Sequence, residues 1–353
     1  MHFPLYTTTQ TFSQNILNYS VPTIPIPTRV WPEIFFRFLD YELASPIGVS
    51  ACAITTGRPL AWLAQLGFDV LTYKTIRSRA QDAHPLPNIL PVACDESLKP
   101  ADLNQPLYVC PEFDTNDKLA LANSFGNACF DPHWVEEDIE TVKKSLRKGQ
   151  ILIVSVYGQG QTDQETLTDF VTTACIARDA GADIIELNLS CPNITDTHRI
   201  LSLDSEAVYQ ITYKVVQCIK KIPVIVKLGL FPDQSSPETV LTAAARAGAM
   251  GISAINSVPM TVLQADQTPA FGDQRVSAGV SGYPIRALAL NFIRTLAEIN
   301  RAQKFELALL GMGGVTEAQH FMQLQEAGAD VMLAATGVMW NPYLATQYHQ
   351  QLL

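Results

Sequence analysis

The sequence predicts an α/β protein, a (β/α)8 TIM barrel with insertions at its C-terminal mouth. Three observations predict it. From about residue 45 onward, short apolar runs of strand length alternate with longer segments of helical periodicity. The runs number eight, as a closed parallel barrel requires. Ala-Gly-Ala recurs at 180–182, 247–249 and 327–329, each time just before a run, where it supplies a helix-ending glycine.

Taken in chain order, residues 1–33 come first. Their Pro22-Thr-Ile-Pro-Ile-Pro27 stretch is too proline-rich for a helix and reads as an extended arm, distinct from a barrel domain over 34–353. Strands are expected at Ile47–Ala51, Asp69–Lys74, Ile151–Val156, Asp183–Asn188, Pro223–Lys227, Gly251–Ile255, Glu306–Leu310 and Asp330–Ala334. Such near-continuous apolar runs suit strands buried on both faces. Helical periodicity occupies 57–66, 161–179, 204–220, 235–247, 285–300 and 316–327. Two segments, 77–133 and 257–283, break the alternation and are rich in Pro, Asp, Asn and Gly. Each follows a strand and therefore rises over the mouth, where barrel enzymes keep their chemistry.

Composition narrows the function classes. Hydrophobic residues make up 47% of the 353 and charged ones 16%, which excludes disorder for most of the chain. The net charge of −10 repels phosphate backbones and argues against a general nucleic-acid binder. No apolar run approaches the roughly 18 residues of a membrane span, and the N-terminus has neither a basic start nor an apolar signal core, so a cytoplasmic location is expected. The seven cysteines (52, 94, 110, 129, 175, 191 and 218) never form a Cys-x-x-Cys pair. They read as reduced thiols, not as a disulfide framework, a zinc site or an iron–sulfur site, and no metal site is expected.

Polar residues at the C-terminal ends of barrel strands are the catalytic candidates. The second strand ends in Tyr73-Lys74-Thr75, and the insertion after it carries Asn123-Ser124-Phe125-Gly126. The fourth runs into Glu186-Leu-Asn188-Leu-Ser190-Cys191-Pro192-Asn193, the fifth ends in Lys227 and the sixth in Asn256-Ser257. The last two turns, Gly311-Met-Gly313-Gly314 and Thr336-Gly337, match the phosphate site that barrels build after strands seven and eight, since glycines let backbone N–H groups approach phosphate oxygens. A glycine pair alone is equally a tight turn. Lysines buried at strand ends, however, need an anionic partner. One asparagine alone is most simply a turn residue, but Asn123, Asn188, Asn193, Asn256 and Ser257 converge on one rim and, with Lys74, suit a small planar ligand with imide edges and a carboxylate. Cys191 is the candidate proton acceptor, because no histidine sits at a strand end. Cys129 is a second thiol candidate, while His84, His133 and His198 lie in loops.

At Glu186–Asn193 the sequence closely resembles the dihydroorotate dehydrogenase family, flavin mononucleotide (FMN) enzymes on a (β/α)8 barrel. Supporting stretches include Ser45–Ala51, Tyr73–Thr75, Asn123–Gly126, Val226–Leu228, Ile255–Ser257, Gly279–Gly282, Gly311–Val315 and Ala335–Gly337. The resemblance implies that dihydroorotate or orotate is held by Lys74, Asn123, Ser124, Phe125, Gly126, Asn188, Asn193, Asn256 and Ser257. FMN contacts would fall on Ala51, Lys74, Thr75, Asn188, Lys227, Gly282, Gly313, Gly314, Thr336 and Gly337. Cys191 matches the family's base, and a cysteine there marks the soluble class, whereas the quinone-using class has serine. A homodimer with a small electron acceptor is the implied assembly.

Two features depart from that pattern. The soluble class usually continues after the Asn-Ser-Phe-Gly stretch with Leu-Pro-Asn and a glycine, where this chain has Asn127-Ala-Cys-Phe-Asp-Pro132. Residues 1–33 match neither the short start of that class nor the paired amphipathic helices of the quinone class. Fumarate, NAD through a partner flavoprotein, and quinone stay open as acceptors. The Cys base and the lack of a membrane arm or cysteine cluster favour fumarate. Competing readings are a dihydropyrimidine dehydrogenase-like flavoenzyme, against which Lys74 argues by favouring a carboxylated ligand, and a non-catalytic FMN-binding paralogue. A tRNA-modifying flavin barrel is opposed by the acidic surface.

Overall fold

The computed structural model describes residues 2–3, 5–22, 25–29, 35–94, 96–110, 118–190, 200–231 and 236–352. Eight parallel strands close into a barrel: Ile47–Val49 (β1), Val70–Ile76 (β2), Ile151–Val156 (β3), Ile184–Asn188 (β4), Val224–Leu228 (β5), Gly251–Ala254 (β6), Ala308–Met312 (β7) and Val331–Ala334 (β8). Each pairs with its neighbours in sequence, and β8 pairs with β1 to complete the ring. All eight expected strands are present, with ends moved by up to two residues. The seventh begins at Ala308 and not at Glu306 because Glu306 has φ 58°, a left-handed conformation that no strand accommodates. Asn300 holds that connection by bonding both the N–H and the C=O of Leu307.

The helices Gly57–Gln65, Asp163–Asp179, Ser205–Ile219, Pro237–Arg246, Arg286–Gln303 and Gln319–Glu326 fall in the expected segments. A further helix, Pro132–Ser145, follows the first insertion. Asp131 caps it by accepting from the His133 N–H, Pro132 opens it, and Lys143 and Lys144 sit in its last turn, all favourable to its dipole. The two insertions build a sheet over the mouth in the order Ile89–Pro91, Ala120–Asn123, Ser277–Gly282, Val258–Leu263 and Leu107–Tyr108. Buried positions alternate with more exposed ones along Val258–Leu263, the period of a strand with one covered face.

The same period of two divides the barrel interior. Inward positions at the lower end of the strands are apolar: Val70, Ile151, Ile153, Ile184, Ile225, Leu310, Val331 and Leu333 form one cluster, floored by Phe38 and Leu43 of the hairpin Phe36–Phe38/Tyr41–Leu43. Two to four residues further along the strands the inward positions turn polar, at Lys74, Ser155, Glu186, Asn188, Lys227 and Ser253, all buried. The site is thus a polar layer on an apolar plug.

The arm departs from the extended conformation expected of it. Phe12–Leu17 is a helix with a complete capping box between Thr11 and Gln14, and the proline-rich stretch begins only after it, at Pro22. Leu5, Tyr6 and Phe12 are buried in the main apolar core. At the opposite end of the barrel, the Arg29 guanidinium grips the fully buried Asp69 with two bonds of 2.7 Å, and Ser45 and Gln150 also donate to that carboxylate. Removing one partner of such a pair leaves an uncompensated buried charge. Asp69→Ala is therefore expected to lower stability by about 3–5 kcal/mol in urea denaturation, and a loss below 1 kcal/mol would show that the pair does not anchor the arm.

Candidate active site

The mouth holds an open cavity. Of the residues expected to bind ligand, Ala51, Lys74, Thr75, Asn123, Phe125, Asn188, Lys227, Asn256, Ser257, Gly282, Gly313, Gly314 and Thr336 line it. Their convergence from β2, β4, β5, the turns after β6, β7 and β8 and the covering sheet follows from strand ends that all point one way. Three expected residues stand just behind the wall. Ser124 turns its hydroxyl to His84 Nδ1 at 3.2 Å. Gly126, at φ 69°, backs so closely on His84 that a Cβ there would lie 2.5 Å from the imidazole Nε2. Gly337 backs on the carbonyl of Val315. Cys191 and Asn193, with His198, lie outside the described residues.

At the cavity floor, Lys227 Nζ is 3.4 Å from Glu186 Oε1 and 3.2 Å from Ser50 Oγ, while Ser253 donates to Glu186 Oε2 at 2.7 Å. Lysine and glutamate are almost fully withdrawn from water, so each serves as the other's counter-charge. Above them, Asn188 Nδ2 donates to Thr75 Oγ1 at 3.0 Å, and Thr75 shares a 2.9 Å bond with Ser155. Asn256 Nδ2 reaches Asn188 Oδ1 and both oxygens of Ser190 at 3.2–3.4 Å. Asn123 donates to the Gly279 carbonyl at 2.8 Å. The amides are thereby oriented before any ligand arrives, which reduces the ordering cost of binding.

A glycine turn forms another part of the wall. Gly313 and Gly314 have φ 121° and 76°, and a Cβ on Gly314 would lie 2.3 Å from Arg286 Cβ, so only glycine fits the turn. Thr336, its hydroxyl bonded to Ser281 at 2.9 Å, faces this turn across the cavity wall.

The altered segment after Gly126 and the unmatched arm meet each other. Phe12 packs edge-on to Phe125 and tilted against Phe130, which continues to Trp134 at 4.3 Å, while Tyr6 meets Phe125 edge-on. Lys74 Nζ lies 5.1 Å from the centroid of Phe12 and donates to the Ala128 carbonyl at 2.6 Å. One aromatic cluster thus ties the arm, the loop and a site lysine together.

Sequence reasoning missed several cavity residues. Ser50 and Cys52 follow the short β1, and Ser281 and Asn127 come from the insertions. Continuing the inward alternation of β1 past Gly48 would have found Ser50. Burial pushes the Cys52 thiol up, with Lys227 and Lys74 acting the other way. Cys129, the second thiol candidate, does not line the cavity: it is buried, accepts from the Arg77 N–H, and its thiol is raised by burial. His84 is held below the usual imidazole range by burial and by Arg275, and His133 is exposed beside Glu137.

A family model for dihydroorotate dehydrogenase matches residues 113–353. A dihydroorotate dehydrogenase of Dictyostelium discoideum is 36% identical over 325 residues, covering 90% of this chain and 88% of that protein. The chain belongs to the dihydroorotate dehydrogenase family. Members of the family are oxidoreductases that oxidise dihydroorotate in pyrimidine biosynthesis, and their chemistry is flavin-dependent. More distant relatives match over shorter stretches. The catalytic subunit of an NAD-linked dihydroorotate dehydrogenase B from Brachyspira hyodysenteriae is 27% identical, over 58% of this chain and 63% of its own length. A fumarate-linked dihydroorotate dehydrogenase A from Limosilactobacillus reuteri is 30% identical, over 47% and 51%. Among the described residues no helix is long and apolar enough to cross a membrane.

The aromatic cluster generates a prediction. Phe12→Ala is expected to cost about 3 kcal/mol of stability and to speed hydrogen exchange at Ser124 and Cys129, whose N–H groups bond Asn88 and Gln81. Unchanged protection at these two amides would separate the arm from the loop.

Proposed function

We propose that the chain oxidises dihydroorotate to orotate with FMN in the cavity, Cys191 serving as the base. The observation that carries this reading is the single cavity in which an oriented amide set, the two lysines Lys74 and Lys227 and a glycine turn open to an anion stand together. The residues present suit the cofactor: Gly282, Gly313, Gly314 and Thr336 would receive its phosphate, with Ala51, Thr75, Asn188 and Lys227 along the ring and ribityl chain. FMN, when bound, supplies the acceptor for the hydride leaving C6 of the substrate.

The protein's own groups do the remainder. Lys74 neutralises the substrate carboxylate, while Asn123, Asn188, Asn193, Asn256 and Ser257 fix the ring edges, so that C5–H faces the base within reacting distance. The Cys191 thiolate takes the C5 proton. A thiol of ordinary pKa near 8.5 makes that step faster as pH rises toward this value and slower below it. Burial of the floor excludes water from the face where hydride leaves, and Lys227 offers positive charge there.

Anaerobic addition of dihydroorotate to the purified yellow protein tests the reading: bleaching of the flavin with formation of orotate is expected, and no bleaching would leave a non-catalytic flavin-binding protein. Mass spectrometry should identify the released cofactor as FMN. Cys191→Ala should keep FMN and slow flavin reduction at least ~100-fold. An unchanged rate would move the base elsewhere.

For the second half-reaction we propose fumarate as acceptor, in a cytoplasmic homodimer. Orotate and fumarate both present carboxylates, so one site holding Lys74 and the amide set serves each in turn, giving ping-pong kinetics. Steady-state assays with fumarate, NAD and a short-chain quinone rank the choices. Quinone turnover without fumarate turnover would refute the assignment.

A further inference from the structure

Ser124 and Gly126 stand just behind the cavity wall, and His84 holds them there. Its backbone N–H donates to the Phe125 carbonyl at 3.1 Å, and its Nδ1 shares a 3.2 Å bond with Ser124 Oγ. Its ring closes on Gly126, where a Cβ would come within 3.0 Å of three imidazole atoms. One histidine thus touches three consecutive residues, flanked on either side by Asn123 and Asn127 of the cavity lining. The segment that carries it is itself fixed, because the buried Asn88 side chain donates to the carbonyls of His84 and Ser124 at 2.9 and 3.1 Å, and the Ser124 N–H returns a 2.9 Å bond to the Asn88 carbonyl. His84 itself does not line the cavity, so it acts on a ligand only through the wall that it supports.

We infer that His84 is a positioning residue for substrate binding, which in its neutral form holds the wall segment 123–127 in place and on protonation releases it. This inference rests on the proposed function for the identity of that substrate. A neutral ring shares the Ser124 bond in either direction, whereas a protonated ring has no lone pair with which to accept. Among the described residues, Arg275 is the charged group that acts on the ring, and it reaches the same segment by donating to the Pro87 carbonyl at 3.1 Å. Asn88, Ser124, Phe125 and Gly126, which pack against His84 or bond to it, are neutral. A proton on His84 therefore sets a second positive charge against Arg275 in a half-buried place, and burial together with that arginine holds the imidazole below its usual range. The sign follows: the ring is neutral and the wall held at neutral pH, and the hold is lost as pH falls through the lowered value. A wall ordered beforehand reduces the cost of binding, so substrate affinity falls in acid.

The test uses the FMN-loaded full chain, titrated with orotate by the perturbation of flavin absorbance between about pH 5 and pH 8, the range in which histidine changes charge. Equilibrium binding needs no catalytic base, so the titration of Cys191 does not enter. His84→Asn keeps a hydrogen-bonding group near the Nδ1 position but takes up no proton, and His84→Ala removes the support. Native protein should bind orotate about 10-fold more weakly at the acid end than at the neutral end. The asparagine variant should keep the native affinity at neutral pH and lose the acid weakening, while the alanine variant should bind about 10-fold more weakly throughout. FMN content, which reports folding, should be unchanged in both. An asparagine variant that keeps the native pH dependence overturns the inference, as does an alanine variant within about 2-fold of native affinity at neutral pH. Native protein that binds no orotate at any pH overturns the proposed function and this inference together, so the two failures are distinguishable.

Discussion

The site depends on one buried ion pair. Lys227 and Glu186 stand on adjacent strands, and taking two such charges from water costs several kcal/mol each unless they meet with good geometry and their remaining donors and acceptors are used. Ser50 and Ser253 supply those further bonds, from the residue just past β1 and from β6 respectively. The pair therefore requires four parts of the barrel to close in one register. A slip of one residue in any of them would send its polar group to the outer face and leave a charge unpaired in the apolar core. The energetic cost of the charges thus works as a constraint on the fold, and it leaves an ammonium at the floor of the cavity.

A second dependence runs along the mouth. The arm and the loop after Gly126 are the two places where the chain departs from its family's pattern, and each supplies the other's contacts. Phe12 needs Phe125 and Phe130 to be buried, and the loop needs Phe12 to cover it. Lys74 belongs to the same unit, because its ammonium bonds the loop backbone and lies near the Phe12 ring. A lysine of the candidate site is in this way tied to a segment far from the strand ends in sequence.

Much of the barrel was legible in the sequence. Strands covered on both faces must be apolar along nearly their whole length, and helices between them must end in a residue tolerant of left-handed φ, so β1 to β8 announce themselves locally. The arm helix was not legible by the same means, since Phe12–Leu17 is a single short stretch beside a proline run. Its signal lay in Thr11-x-x-Gln14, a capping box outweighed by the prolines that follow it. The covering sheet was hidden because its pairings join Ala120–Asn123 to Ser277–Gly282 across more than half the barrel. No window of sequence contains such a pair.

The candidate site divides along the same line. Sequence alone determined the residue types at the strand ends, because a polar side chain at the inward position of an otherwise apolar strand has few uses other than chemistry. Lys74, Asn188, Lys227 and Asn256 were found for that reason. Only the tertiary structure decided that Ser124, Gly126 and Gly337 shape the wall from behind, that Cys52 and Asn127 line it, and that Cys129 does not. These assignments depend on which way a side chain turns within a loop and on what stands opposite it. Both are set by long-range packing rather than by the period of a strand.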